Sequence, residues 1–154
     1  MTDLSNSPIG KSLRRREDER FLTGRGQYTD DVVLPGQTYA CFLRSPHAHA
    51  RIVSIDTTAA RAMPGVVAIF TGKDVAESKI GGLPCGWLIH SRDGSPMKEP
   101  PHPIIAVDKA LHVGDQVALV VAESPVQAKD AAEAIVVDYD VLPAVVEAAS
   151  APGN

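Results

Sequence analysis

Two histidines are the side chains of this sequence that come nearest to metal-ligand spacing. His47 and His49 stand two residues apart, so both rings share one face if this stretch is an extended strand. A metal site needs at least a third ligand, and none stands at a suitable spacing nearby. The sequence therefore favours turn-stabilising hydrogen bonds for these rings. A small metal-binding protein that uses His47, His49 and a histidine of the 81–103 loop is the weakest alternative.

The cysteines show no pattern that is typical of redox or zinc sites. Cys41 and Cys85 are far apart, without C-x-x-C spacing, as expected of reduced thiols in a cytosolic protein. Cys41 falls in an apolar strand and is expected to pack, whereas Cys85 lies in a long loop without a recognisable histidine partner. The motifs G-x-S-x-G and H-E-x-x-H and the P-loop are absent from the sequence. We therefore predict no catalytic, cofactor-binding or metal-ligating residue in this chain.

Glycines and carboxylates before residue 37 have the composition of turns. Gly24-x-Gly26 could approach a phosphate only after a strand and before a helix, and neither is indicated here. We expect these glycines to supply positive φ in a turn. Asp30 and Asp31 point to opposite sides of an extended chain, so turn formation is favoured over cation binding.

Residues 1–20 are predicted to form a polar arm. Three arginines at 14–16 are followed at once by three acidic residues at 17–19, so the local charge nearly cancels. This pattern favours a solvated arm, or one laid across another domain, over a phosphate-binding patch.

The stretch 44–56 is the segment that must position its neighbours. Pro46 favours an extended Ser45 and interrupts strand hydrogen bonding, and alternation resumes around Ile52. Asp56 is placed to cap the helix that follows. Six further elements are predicted from periodicity and capping signals: a strand at 38–44, a helix at 57–63, a strand at 66–70, a short helix opened by a Thr71–Asp74 capping box, a strand at 117–122 and a strand at 136–141.

The helix predicted at 125–135 is the best specified element. Ser124 is its cap, Pro125 takes the first helical position, and a glutamine follows two residues later. The apolar residues Ala128, Ala131, Ala132 and Ile135 recur at helical spacing, which predicts an alanine face packed on the sheet around strand 117–122. That strand is an unbroken apolar run, so we expect it to be covered on both faces. Strand–helix–strand order thus occurs twice, at 50–70 and at 117–141.

The segment 81–103 interrupts this pattern with four glycines, five prolines and the single tryptophan, Trp87. A loop of this length is uncommon inside a compact domain. We expect either a segment that contacts a partner or one that is disordered in isolation.

Composition excludes several classes of protein. The chain has 154 residues, enough for one domain that buries about 70% of its unfolded surface. Its net charge of −4 argues against binding to nucleic acid or to an anionic membrane. No window approaches the roughly 18 apolar residues of a membrane span, and the polar N-terminus is unlike a signal peptide. The expected location is cytoplasmic.

Several short motifs follow one another along nearly the whole chain: Thr23-Gly24-x-Gly26-x-Tyr28-x-Asp30-Asp31, Pro35-Gly36, Arg44-Ser45-Pro46-His47-Ala48-His49-Ala50, Pro64-Gly65-Val66, Val113-Gly114-Asp115-Gln116-Val117-Ala118, Ala131-Ala132-Glu133, Val137-x-Tyr139 and Leu142-Pro143. In this order they resemble the N-terminal a/b-hammerhead domain of molybdenum hydroxylase large subunits, the family of xanthine dehydrogenase, aldehyde oxidase and carbon monoxide dehydrogenase. The lead-in at 14–23 is most similar to bacterial carbon monoxide dehydrogenase-type large chains. Family members commonly carry Gly-Glu-Pro where this chain has Gly114-Asp115-Gln116. The loss of that proline is expected to free the turn before strand 117–122.

The resemblance implies an α+β fold of the a/b-hammerhead type, a mixed sheet with a few short helices packed on it. It implies an arm at 1–20, the hammerhead domain at 21–145 and the start of a linker to molybdopterin-binding domains at 146–154. The complete enzyme would be an oxidoreductase that hydroxylates an aldehyde, an N-heterocycle or a CO-type substrate. The complete enzyme would use molybdopterin, together with iron–sulfur and FAD groups on partner subunits. This chain itself would hold none of these cofactors.

In the family, the residues that touch molybdopterin lie downstream of this domain, so none maps onto this sequence. The implied role is structural, bracing the molybdopterin-binding domains and subunit contacts, and the isolated chain is expected to be inactive. The alternative is a stand-alone interaction or assembly module that kept the fold without catalysis. Whether the native reading frame continues past Asn154 distinguishes the two.

Overall fold

A computed structural model describes residues 9–149 and 151 of the chain. The chain divides into two compact units, Met1–Gln37 and Thr38–Asn154. Among the described residues, no helix has the length and apolar character needed to cross a membrane.

Over residues 9–37, the first unit contains a short helix, α1 (Asp18–Leu22), and a 3-10 turn at Thr29–Asp31. Asp31 makes that turn, because its carboxylate accepts from the backbone N–H of Tyr28 at 2.9 Å. Gly24 has φ +70°, as expected of a turn glycine. A positive φ was expected for Gly26 as well, and that prediction was wrong. Gly26 instead allows close packing of neighbouring side chains. A Cβ there would lie 2.7 Å from the ring of Phe21, which stacks on Tyr28.

The second unit carries six strands and three short helices among its described residues. In chain order they are β1 (Tyr39–Arg44), β2 (Ala50–Asp56), α2 (Thr58–Arg61), β3 (Val66–Thr71), α3 (Gly72–Glu77), β4 (Lys109–Ala110), β5 (Gln116–Ala122), α4 (Pro125–Glu133) and β6 (Val136–Val141). The predicted strands and helices are all present. Helix 57–63 is shorter than expected, and Asp56 accepts from the N–H of Thr58 at 2.9 Å, one residue before the assigned cap position Thr57.

The strands form two three-stranded sheets, with orders β1-β5-β3 and β4-β2-β6. Every pair of described strands is antiparallel. Helices α2 and α4 each connect a strand of one sheet to a strand of the other, so both strand–helix–strand units cross between sheets. The predicted α+β class with a few short helices is confirmed, although the strands form two antiparallel sheets where one mixed sheet was expected.

The core lies between the β1-β5-β3 sheet and α4. It consists of small and aliphatic residues, in keeping with an aromatic content of only 5%: Ala60, Ile69, Ala118, Val120, Ala131, Ala132 and Ile135. The predicted capping of α4 is also confirmed, since Ser124 Oγ accepts from the N–H of Gln127 at 3.3 Å and Pro125 opens the helix. The alanine face therefore packs on the sheet as the periodicity indicates.

Candidate functional site

The bend between β1 and β2 is built around Ser45, which is only 2% exposed. The N–H of His47 donates to Ser45 Oγ at 3.0 Å, and the Ser45 hydroxyl donates to the carbonyl of His47 at 3.1 Å. Because Pro46 lies between them, these two bonds close a tight loop of backbone around one hydroxyl.

The turn before β5 locks onto this bend. Ser45 N–H donates to the Asp115 carbonyl, and Gly114 N–H donates to the Ser45 carbonyl, both at 2.8 Å. Arg44 Nη1 also donates to the Gly114 carbonyl at 2.9 Å. Gly114 has φ +88°, a left-handed conformation that favours glycine. The two motifs that the sequence analysis singled out, 44–50 and 113–118, are thus parts of one structure.

Asp115 adds a side-chain contact to the same turn. Its carboxylate accepts from the N–H of Leu111 at 2.9 Å and lies 3.8 Å from His112 Nδ1. The carboxylate is 13% exposed, whereas the histidine ring is 60% exposed. The pair is ionic only when His112 is protonated. The Asp115 side chain therefore holds the 111–115 turn.

The two histidines of the bend are engaged separately. The His47 ring meets the Tyr139 ring edge to face, with centroids 4.9 Å apart. His49 Nδ1 lies 2.7 Å from the carbonyl of Pro143. Among the described residues, no three histidine, cysteine, aspartate or glutamate side chains form a group that could hold a metal ion.

Tyr139 is the ionisable group most affected by this packing. Burial raises the pKa of its phenol, a hydrogen bond with Ser45 acts in the opposite direction, and the charge of Asp115 raises the pKa further. The net direction is upward, so the Tyr139 phenol keeps its proton to a higher pH than an exposed tyrosine does.

The 81–103 segment folds back on itself. The N–H of Ser91 donates to the carbonyl of Ser95, and the N–H of Met97 donates to the carbonyl of Ile89, both at 2.9 Å. These two bonds make a small hairpin. Hydrogen bonds from Ser95 lower the pKa of Asp93 at its tip. Sequence reasoning missed this hairpin, although the dipeptide Asp93-Gly94 is a recognised turn signal.

This segment and the 106–115 region enclose a cleft of about 400 Å³. Its lining is mainly proline and aliphatic side chains, with a few polar groups that include Cys85, Glu99, His102 and His112. Glu99 accepts from the N–H of Cys85 at 3.0 Å, and the Cys85 thiol donates to the Trp87 carbonyl at 3.3 Å. Cys41, by contrast, packs against the core as predicted. The cleft suits an apolar group, and its thiol is already engaged.

Comparison with known proteins places these features in a family. Residues 23–143 match the aldehyde oxidase and xanthine dehydrogenase a/b hammerhead domain. The chain is 40% identical over 144 residues to the nicotine 6-hydroxylase large subunit of Paenarthrobacter nicotinovorans, a match that covers 94% of this chain and 17% of that protein. It is also 40% identical over 139 residues to the carbon monoxide dehydrogenase large chain of Afipia carboxidovorans, covering 90% of this chain and 16% of the relative.

Solved structures agree with the sequence relatives. The chain superposes on quinoline 2-oxidoreductase from Pseudomonas putida 86 with a TM-score of 0.76 and 44% identity, covering 94% of this chain and 18% of that one. The chain therefore spans about a sixth of the length of the relatives it matches. It belongs to the aldehyde oxidase and xanthine dehydrogenase a/b hammerhead domain family.

Proposed function

We propose that this chain is the hammerhead domain of a molybdenum hydroxylase large subunit, where it braces the molybdopterin-binding domains and takes part in subunit contacts. The reaction of the complete enzyme is hydroxylation of an aldehyde, an N-heterocycle or a CO-type substrate with oxygen from water. Electrons then leave through iron–sulfur and FAD groups on partner subunits. The complete enzyme is located in the cytoplasm.

The observation that carries the proposal is the match along almost the whole chain to proteins named as large subunits or large chains. A xanthine dehydrogenase relative from Escherichia coli O157:H7 is named a molybdenum-binding subunit, at 37% identity over 132 residues. Another relative is subunit gamma of a dehydrogenase complex, which supports an assembly of several subunits. Nicotine and quinoline, which appear in two of the names, are N-heterocycles.

Within the part of the chain that the structure describes, the side chains form no group that could hold a metal ion. The nearest donor pair, His47 and His49, is occupied by Tyr139 and by the Pro143 carbonyl. No third donor joins them within the described part of the chain. What the chain does offer is contact area: Trp87, Leu88 and Ile89, at the start of the hairpin within 81–103, are 78%, 58% and 60% exposed. Exposed apolar clusters of this kind are typical of interaction surfaces.

The test is chemical analysis of the purified 154-residue chain, expressed in cells that make molybdopterin. We expect no bound molybdenum or pterin and no turnover of aldehydes or N-heterocycles. Stoichiometric molybdenum, or hydroxylation by the chain alone, would overturn the bracing role.

A further inference from the structure

The β1-β5-β3 sheet has one face on which two adjacent rows of paired residues are apolar. Cross-strand pairing places Phe42, Leu119 and Phe70 in one row, and Ala40, Val121 and Ala68 in the next. Successive residues of a strand point to opposite faces, so these two rows share a face, and the intervening residues Cys41, Val120 and Ile69 share the other. Neighbouring strands are about 4.8 Å apart, so the two phenylalanines flank Leu119 at a separation of about 10 Å.

This face is open, whereas the opposite face is covered. Ile69 and Val120 belong to the core that Ala131, Ala132 and Ile135 complete from the α4 side. On the open side Phe42 is 38% exposed and Phe70 is 43% exposed. An antiparallel sheet that faces water normally alternates apolar and polar residues, and these two rows do not.

We infer that the Phe42–Leu119–Phe70 face is the docking surface for the molybdenum-binding part of the same polypeptide, an inference that rests on the proposed function. The relatives and the solved neighbours carry this domain within chains about six times longer, so most of one polypeptide is available to cover it. The two rows themselves carry no charge, which fits a permanent contact inside a subunit, because such contacts resemble a domain core cut in half. Arg44, at the end of β1, places its guanidinium over the Phe42 ring, 5.7 Å from the ring centroid, so the charge lies at one edge of the apolar rows. The separation of about 10 Å between Phe42 and Phe70 is also close to the diameter of one α-helix with its side chains.

Hydroxyl-radical footprinting with mass spectrometry measures directly whether the Phe42–Leu119–Phe70 face is covered. The native polypeptide, purified from its source cells with an antibody against this chain, is compared with the isolated 154-residue chain. We expect oxidation of Phe42 and Phe70 in the isolated chain and protection by at least about tenfold in the native polypeptide. Val126, which is 67% exposed on α4, reports on the other side of the same sheet and should change less.

Substitution provides the second arm. Phe70→Glu in the native gene should lower molybdenum per polypeptide by at least about tenfold, because a charge would be buried without a partner. Val126→Glu is the matched control and should leave the molybdenum content near that of the wild type. The isolated Phe70→Glu chain should keep the wild-type circular dichroism spectrum, which separates lost docking from lost folding.

The outcomes distinguish the inference from the proposed function. A long native polypeptide that holds molybdenum but leaves Phe42 and Phe70 as reactive as in the isolated chain overturns the docking surface alone. A native polypeptide without molybdenum overturns the proposed function. Protection of both rings in the isolated chain, with a dimer seen by sedimentation, would assign the face to a second copy and overturn the inference.

Discussion

Ser45 and Asp115, 70 positions apart in the chain, are joined by a backbone hydrogen bond of 2.8 Å from the serine N–H to the aspartate carbonyl. This bond ties the bend after β1 to the turn before β5, and those two strands are themselves paired. The bend and the turn are therefore one structural unit, and disturbing either should loosen both.

The buried hydroxyl of Ser45 should be required for stability. Ser45→Ala leaves the N–H of His47 without its acceptor in a partly buried position, which should cost about 1–3 kcal/mol. Ser95→Ala is the control, because Ser95 also hydrogen bonds within a turn but is exposed. We expect that control to stay within about 0.5 kcal/mol of the wild type in urea denaturation. Equal midpoints for both variants would show that the Ser45 hydroxyl contributes nothing.

Helix α4 should tolerate change on one side only. Ala132 is 4% exposed against the sheet, so Ala132→Leu should overpack the contact and cost about 1–3 kcal/mol. Glu133→Leu removes only an exposed 3.9 Å pair with Lys129 and should change the free energy of unfolding by less than about 0.5 kcal/mol. Chemical denaturation of both variants measures the two changes in unfolding free energy. A wild-type midpoint for Ala132→Leu would mean that the alanine face is not packed.

The sequence predicted α4 well because several independent signals agree there: a serine cap, a proline in the first turn and an alanine face. It failed to predict β4, since two residues are too short to show any alternation, and Lys109–Ala110 is a strand only through pairing with β2. The internal pairing of 81–103 was missed because its glycines and prolines also fit an irregular loop. The Ser45–Asp115 bond is a contact between distant parts of the chain, and no local pattern encodes it.

Alkaline pH should destabilise the domain partly through Tyr139. Its folded pKa lies above the ordinary value of 10.0, so its contribution to stability is present below pH 10 and is lost as the pH rises through the folded pKa. Tyr139→Phe should therefore flatten the fall in unfolding free energy above pH 10. Ultraviolet titration of the three tyrosines should also lose its most alkaline component in this variant. An unchanged titration curve at its alkaline end would contradict the buried phenol.

Within the second unit, proteolysis should begin at 81–103. The hairpin bonds there join the segment mainly to itself, so local opening exposes little of the core. Brief digestion with a protease of broad specificity, followed by mass spectrometry, should place the first cuts of residues 38–149 in this segment. First cuts within 117–141 would instead mean that the core has been assigned wrongly.

The central claim is that this domain is part of a molybdenum hydroxylase large subunit. The most direct measurement is the mass and molybdenum content of the native polypeptide, captured from its source cells with an antibody against this chain. The account predicts a polypeptide several times longer than 154 residues that carries molybdenum in a near-equimolar amount. A native polypeptide of only this length, free of molybdenum and without a molybdenum-containing partner, would contradict it and favour a stand-alone interaction module.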